Sequence, residues 1–296
     1  MLRFIESKNI DLEKWNKLIS LHDGQVFSNP AYFEPLAEHW GAIILGDYQA
    51  ALIVPFKKKL IWSWVYTPKF YRASYWMGQW NEEQQKDALE LLQKTFSFGE
   101  LNLENMSSLN NELYHQVVHP QRFDDSQYNT LTKRMIKKAE ASGVHFTNDY
   151  QEEHFLSFLQ KELGPKIDDF QGDSIHVFRD LLRSLEQAGL FHFEGAVIGG
   201  QLVGGLITVE IAGCHLYLKG TANLEAKKSG VYYLLMHRAI QRAVKQNCIF
   251  DFGGSRIDGV AQFNRNFGAE DVFYANHSWG KRPVMFGLIK KILKKS

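Results

Sequence analysis

Phe193–Lys219 reads FEGAVIGGQLVGGLITVEIAGCHLYLK. Gly199–Gln201 and Ala212–Gly213 supply turn chemistry between apolar, β-rich runs, so the stretch reads as three consecutive antiparallel strands: Phe193–Ile198, Leu202–Ile211 and Cys214–Lys219. The glycines of Val197–Gly205 therefore belong to a hairpin, not to a dinucleotide loop between a strand and a helix. A segment of helical period follows at Val231–Gln246, then a short apolar strand at Ile249–Phe252.

The same order occurs earlier. Ala42–Gly46, a turn at Asp47–Gln49, Ala50–Pro55, a basic turn at Lys57–Lys59 and Leu60–Tyr66 form a second meander, followed by a helical Glu83–Phe96 and a strand at Leu101–Leu103. Gln49 and Gln201, like Leu101 and Phe250, lie about 150 residues apart, which argues for a duplicated module rather than one continuous sheet. The 296 residues then divide into modules at 1–127 and 128–280, with a tail at 281–296. The fold class is α/β (α+β).

With 45% hydrophobic and 14% aromatic residues the chain has ample material for two cores, and its 34 basic and 33 acidic residues leave a net charge of +1. No global field points to nucleic acid, so any electrostatic function must be local. Two cysteines, Cys214 and Cys248, make neither a disulfide framework nor a zinc site, and the eleven histidines show no metal spacing; no metal is expected. Met1–Lys8 is too short and too charged for a secretory leader, and no apolar run is long enough to span a bilayer. The expected setting is cytoplasmic.

Thr130–Ala141 is a basic helix, capped by Asn129 or Thr130 and stopped near Gly143. Lys133 stacks over Lys137 and Arg134 over Lys138, so like charges repel and a bound anion would relieve them. Two uses fit, a solvated surface or an anion-binding face built on Lys133, Arg134 and Lys137. Another helical segment spans Ser174–Ala188. The tail interleaves Phe286, Leu288, Ile289, Ile292 and Leu293 with Lys290, Lys291, Lys294 and Lys295, a basic amphipathic helix suited to docking on the body or on an anionic membrane surface.

The densest chemical signal is Cys248–Tyr274, CIFDFGGSRIDGVAQFNRNFGAEDVFY: a buried strand ending at Asp251, a double-glycine turn, and a loop holding Arg256, Asp258, Phe263, Arg265 and Gly268. DFGGS followed by QFNRNFG resembles the end of the Fem-type peptidyltransferase and related GNAT-like acyltransferase domain. FSNPAYFEPLAEHWG at Phe27–Gly41, TKRMIKKAEASGV at Thr132–Val144 and LYLKGTANLEAKKSGVYYLL at Leu216–Leu235 are similar to the same family.

That resemblance implies two tandem GNAT-like domains, each a mixed, mostly antiparallel sheet flanked by helices. It implies an activated acyl donor in a notch between splayed strands of the second, with Lys228, Ser229, Gly230, Val231 and Arg265 binding it. A helix amino terminus with two lysines also suits phosphate on physical grounds alone. Where relatives carry Lys in FKR, this chain has Asn264, leaving Arg265 as the cation. The chain has no room for the long helical arm of tRNA-dependent Fem enzymes, so acyl-CoA is favoured over aminoacyl-tRNA as co-substrate.

Amine acylation needs a base, oxyanion stabilisation and a proton for the leaving group. On the splayed strands the candidates are Tyr217, Lys219 and Asp251, with Glu210 nearby. In the first module Trp62, Trp64 and Tyr66 share a strand face, and Tyr32, Trp64 and Tyr75 are the expected acceptor-binding residues. The expectation is acyl or aminoacyl transfer to an amine of a cell-envelope precursor or small metabolite, by a cytoplasmic protein able to sit on the inner face of the membrane. The alternatives are a non-catalytic binding protein for an anionic metabolite or peptide, and a tRNA-dependent peptidyltransferase with tRNA as partner.

Overall fold

The computed structural model of the chain describes residues 1–21, 25–104, 106, 113–165, 172–254 and 257–281. Along the sequence run β1 (Leu2–Glu6), α1 (Leu12–Ser20), α2 (Pro30–Phe33), β2 (His39–Leu45), β3 (Ala50–Lys59), β4 (Trp62–Val65), β5 (Trp76–Gly78), α3 (Glu82–Thr95) and β6 (Gly99–Glu104). There follow β7 (Leu113–Val118), α4 (Thr130–Glu140), β8 (His145–Thr147), α5 (Glu152–Leu163), α6 (Ser174–Gln187), β9 (Phe191–Ile198), β10 (Gln201–Ile211), β11 (Cys214–Ala222), α7 (Leu224–Lys228), α8 (Val231–Lys245), β12 (Ile249–Asp251), α9 (Asp258–Arg265) and β13 (Glu270–Trp279).

These elements form two compact units. The first takes Met1–Leu21, Ala37–Glu112 and the chain from Tyr274 onward; the second takes His22–Leu36 and Leu113–Phe273. Each contains the meander, helix and strand that the repeat predicts: β2, β3, β4, α3 and β6 in one, β9, β10, β11, α8 and β12 in the other.

In the first unit the strand order is β1-β2-β3-β4-β6-β13, with β5 paired to β3. The hairpins of β2, β3 and β4 run in unbroken antiparallel register, and β4 meets β6 in parallel at Val65 and Gly99. A capping box, in which Asn81 and Gln84 bind each other's backbone amides, starts α3. The helix then buries Ala88, Leu89 and Leu92 against Ile43, Leu52, Phe56, Leu101 and Leu103. Full burial of each leucine or phenylalanine stabilises by about 1.5–3 kcal/mol. Beneath this core Arg72 donates from Nε to Glu104 Oε1 at 2.8 Å, both side chains 3% exposed, and from Nη2 to the Tyr75 hydroxyl at 2.9 Å.

The sequence puts a basic turn at Lys57–Lys59. The structure instead keeps all three lysines inside β3, pairs Lys59 with Trp62, and turns the chain on Leu60–Ile61. Alternation had no polar break to mark this turn, because its two residues are apolar.

In the second unit the order is β8-β9-β10-β11-β12-β7, antiparallel except for the parallel β11–β12 pair. One face is covered by α8, whose Val231, Leu235, Ala239 and Ile240 pack with Ala196, Leu206 and Phe250, and α4 adds Ile136 and Ala139 to this core. On the opposite face Phe155 of α5 meets Phe193 at 4.8 Å between ring centres.

The closing strands depart from sequence order. β7 precedes every other strand of the second unit and pairs with β12, while Tyr274–Trp279 of β13 follow the second meander and pair with β6 of the first unit. The units are therefore discontinuous, unlike the contiguous 1–127 and 128–280 modules, and Tyr32 belongs to the second unit rather than the first. The tail from 282 and Arg256 lie outside the described residues.

Candidate functional site

The ladder between β11 and β12 joins Cys214, His215 and Leu216 to Ile249, Phe250 and Asp251, and β12 ends there, whereas β11 continues to Ala222. Two glycines turn the chain away from the ladder. Gly253 has φ +79° and passes so close to the Tyr217 carbonyl that a Cβ would sit 2.7 Å from its oxygen; Gly254 follows at φ +86°. The strands thus part after Leu216 and Asp251, at the place where the resemblance implies a notch.

A β-bulge shapes the open part of β11. Tyr217 pairs with Thr208 and Lys219 with Ile207, with a register shift between. Thr208 and Ile207 are consecutive and point to opposite faces, so Tyr217 and Lys219 are separated by the sheet although they lie two apart in sequence. The sequence-predicted trio is divided accordingly. Tyr217 lies on the α8 face, where its hydroxyl is 2.6 Å from the Tyr232 hydroxyl and donates to the Gly220 carbonyl at 3.0 Å. Burial pushes the Tyr217 phenol up to about 12, and the neighbouring Tyr232 hydroxyl eases it only in part. At neutral pH Tyr217 carries its proton, which fits it to act as an acid.

Lys219 shares the other face with Leu216, the parallel neighbour of Asp251. Asp251 Oδ1 accepts from the Gly253 amide at 2.8 Å and faces His115 Nδ1 at 3.1 Å, with both side chains buried. Sequence reasoning missed His115: it stands on β7, 136 positions from its partner, and only the return of β7 beside β12 brings the two together. Tyr232 was also missed, and its one signal was its place in the second position of the helix after the notch strand.

The predicted donor-binding residues lie around the start of α8. Asn223 caps α7, and Gly230 links α7 to α8 at φ +86°; a Cβ there would come within 2.1 Å of the Met135 carbonyl oxygen, so glycine lets α8 begin against α4. Among the described residues no side chain caps the first turn of α8, whose cap position is Gly230. Its amides and the positive end of the helix face the α7–α8 turn, a donor set that fits phosphate. Lys228 is exposed and ion-paired to Glu225 at 2.9 Å, Ser229 donates to the Ala226 carbonyl, and Val231 is core.

On α4, Lys138 reaches across to the Lys228 carbonyl at 2.9 Å, Lys133 donates to the Ser126 carbonyl, and Arg134 and Lys137 stand exposed. Arg265 is placed differently from expectation. Its guanidinium makes a two-oxygen pair with Asp271, closest contact 2.8 Å, and lies over the Tyr114 ring. Asp271 in turn accepts from Gln116, which accepts from the buried Asn264. Burial would raise the Asp271 carboxyl, but the Arg265 and Gln116 hydrogen bonds hold it below its ordinary range. Asn264 and Arg265 therefore knit α9 to β7 and β13.

Glu210 is likewise engaged elsewhere, accepting from Arg242 at 2.8 Å and from Thr208. Burial opposes its charge, yet Arg242 keeps its carboxyl low. Of the expected acceptor residues, Tyr32 is buried edge-on to Phe27 in the second unit; in the first unit Trp64 stacks on Phe98 at 6.0 Å and Tyr75 accepts from Arg72. A cleft of about 430 Å³ in the second unit, lined by His119, Arg122, Asp124 and Glu270 among others, holds none of these residues. Among the described residues no group of three or more His, Cys, Asp or Glu could hold a metal ion.

Residues 126–265 match the acetyltransferase (GNAT) domain family. No curated protein matches the chain in sequence. Among solved structures it is similar to FemX, with 12% identity and a TM-score of 0.67 over 97% of this chain and 100% of that one. It is similar to L-PGS from Bacillus licheniformis, with 15% identity and a TM-score of 0.61 over 94% and 95% of the two chains. It is similar also to a tandem GNAT protein from the clavulanic acid biosynthesis pathway, with 12% identity and a TM-score of 0.53 over 96% and 100%. At such identities the likeness is one of fold. The chain thus has a GNAT/Fem-like fold, and residues 126–265, which match the acetyltransferase (GNAT) domain, fall within its second unit.

Proposed function

We propose that this protein transfers an acyl or aminoacyl group from an activated donor, acyl-CoA rather than aminoacyl-tRNA, to an amine of a cell-envelope precursor or small metabolite. The observation that carries the reading is the parting of β11 and β12 with Tyr217 and Tyr232 at its edge and an uncapped helix start next to it. The turn at Lys227–Gly230 and the first amides of α8 would hold the donor's phosphates. His115, oriented by Asp251, is the candidate base that takes the amine proton as the nitrogen attacks the acyl carbon. The carbon–sulfur bond then breaks, and Tyr217 gives its proton to the departing thiolate. Tyr232 keeps Tyr217 aligned, and Lys219 serves as a charge-stabilising group on the face of His115.

Thermal unfolding of the full chain with acetyl-CoA, longer acyl-CoA esters, free coenzyme A and charged tRNA tests this directly, since a ligand at a hundred times its Kd adds about 2.7 kcal/mol. A shift with CoA esters that Lys228→Glu removes supports the reading. A shift with tRNA alone moves the donor to aminoacyl-tRNA, and no shift with any of them leaves a binding protein without transfer.

A further inference from the structure

The β3–β4 hairpin ends in two consecutive apolar residues that point to water, Leu60 at 79% exposed and Ile61 at 88%. Elsewhere among the described residues no two exposed large apolar side chains are adjacent in sequence; Leu12, Leu21, Leu131 and Leu224 stand singly. Isolated apolar side chains on a surface are ordinary, but a projecting pair is not. The backbone makes the choice more pointed. Leu60 has φ +56°, and it opens a two-residue loop closed by the Lys59–Trp62 pair. A loop of that kind with positive φ at its first position favours glycine there and a polar residue after it, so the turn carries its apolar pair against its own conformational preference.

The flanks are basic. Lys57, Lys58 and Lys59 run up to the tip, and by register Lys57 and Lys59 share a hairpin face with Trp62 and Trp64. Lys57 pairs with Glu38 at 3.4 Å and Lys58 with Glu6 at 2.8 Å, and every one of these side chains is at least a third exposed. Such pairs are weak and salt-screened, so the lysines can exchange carboxylates for phosphates at little cost. An apolar tip ringed by lysines and followed by amphipathic tryptophans has the chemistry of the headgroup boundary of an anionic bilayer.

We infer that the β3–β4 hairpin is a membrane-docking element that inserts Leu60 and Ile61 among the acyl chains of an anionic bilayer while Lys57, Lys58 and Lys59 meet its phosphates. The inference is independent of the transfer chemistry proposed for the second unit. It assigns the contact to the body of the protein, whatever the tail from 282 does.

The test is co-sedimentation of the full chain with vesicles of phosphatidylglycerol and phosphatidylcholine in equal parts, and with phosphatidylcholine alone. The wild type should bind the anionic vesicles and release as salt rises. Leu60→Gly together with Ile61→Asn should lower the partition coefficient about tenfold or more, and Lys59→Glu should lower it about fivefold on anionic vesicles alone. Because the double substitution suits the turn, its thermal midpoint should equal or exceed that of the wild type, so lost binding cannot reflect unfolding. The inference is overturned if the wild type binds neither vesicle, if the double variant binds as well as the wild type while deletion of 282–296 abolishes binding, or if the tip instead mediates self-association, seen as a concentration-dependent mass that the double substitution removes.

Discussion

The two meanders begin alike and end differently. In the first unit β4 is four residues long, meets β6 at one parallel pair, and the space beside Gly99 is filled by the indole of Trp279, which donates to the Phe96 carbonyl at 2.7 Å. In the second unit β11 is nine residues long, bulges, and outruns β12, and the backbone of Gly253 draws up against it. One unit is thus sealed at this point by a side chain, and the other is parted there.

If the sealed unit serves stability and the open one chemistry, substitutions should divide the same way. The largest effect is expected in the first unit: Arg72→Ala takes the guanidinium from the buried Glu104 carboxylate and should cost about 3–5 kcal/mol, read by urea denaturation. Next, Tyr217→Phe should lower the rate of transfer about a hundredfold with little change in Tm. Equal loss of stability and rate would instead make Tyr217 a packing residue. Gly253→Ala, which forces a Cβ toward the Tyr217 carbonyl from a left-handed backbone, should cost about 1–2 kcal/mol and reduce transfer, whereas Arg265→Ala should cost at most about 1 kcal/mol and leave donor affinity unchanged.

A pH series sharpens the contrast in another way. In the second unit His192 and His215 are held below the ordinary histidine value, chiefly by burial, with the Arg242 cation adding to it. The unfolded chain therefore binds more protons than the folded one once pH drops toward 6.5, so stability present at neutral pH is lost as pH falls through that value. Chemical denaturation between pH 8 and 5 should show this slope, and His215→Gln should flatten it; an unaltered slope would place the titration elsewhere. The smallest effect belongs to the hairpin, where Leu60→Gly with Ile61→Asn should raise stability by about 0.5–1 kcal/mol.

Much of this frame is legible in the residues. Gly199 and Gly200 both adopt positive φ, as a hairpin turn between apolar runs requires, and the helices after each meander begin within one residue of their predicted starts. Asn129 announces its helix start by a short-range hydrogen bond, as the sequence reading expects, and Asn81 and Asn223 cap their helices by the same local device. What escaped it is long-range. The bulge that separates Tyr217 from Lys219 depends on how β10 and β11 pair, and the His115–Asp251 contact depends on which strand closes which sheet. Arg265 kept its charge but spent it on Asp271, a partner six residues away that the family resemblance gave no reason to consider.

The exchange of closing strands also sets a timetable for synthesis. β6 ends at Glu104, but the residues of β13 that cover its edge begin at Tyr274, so on the ribosome the amino-terminal unit waits on the order of ten seconds with that edge unpaired. An uncovered edge of this kind is a site for misassociation, and β6 places Glu100 and Asn102 along it, charge and polarity that discourage a foreign strand. Nascent chains released before Trp279 should be chaperone clients, and separately expressed halves should recover their native state only when mixed while both are still unfolded.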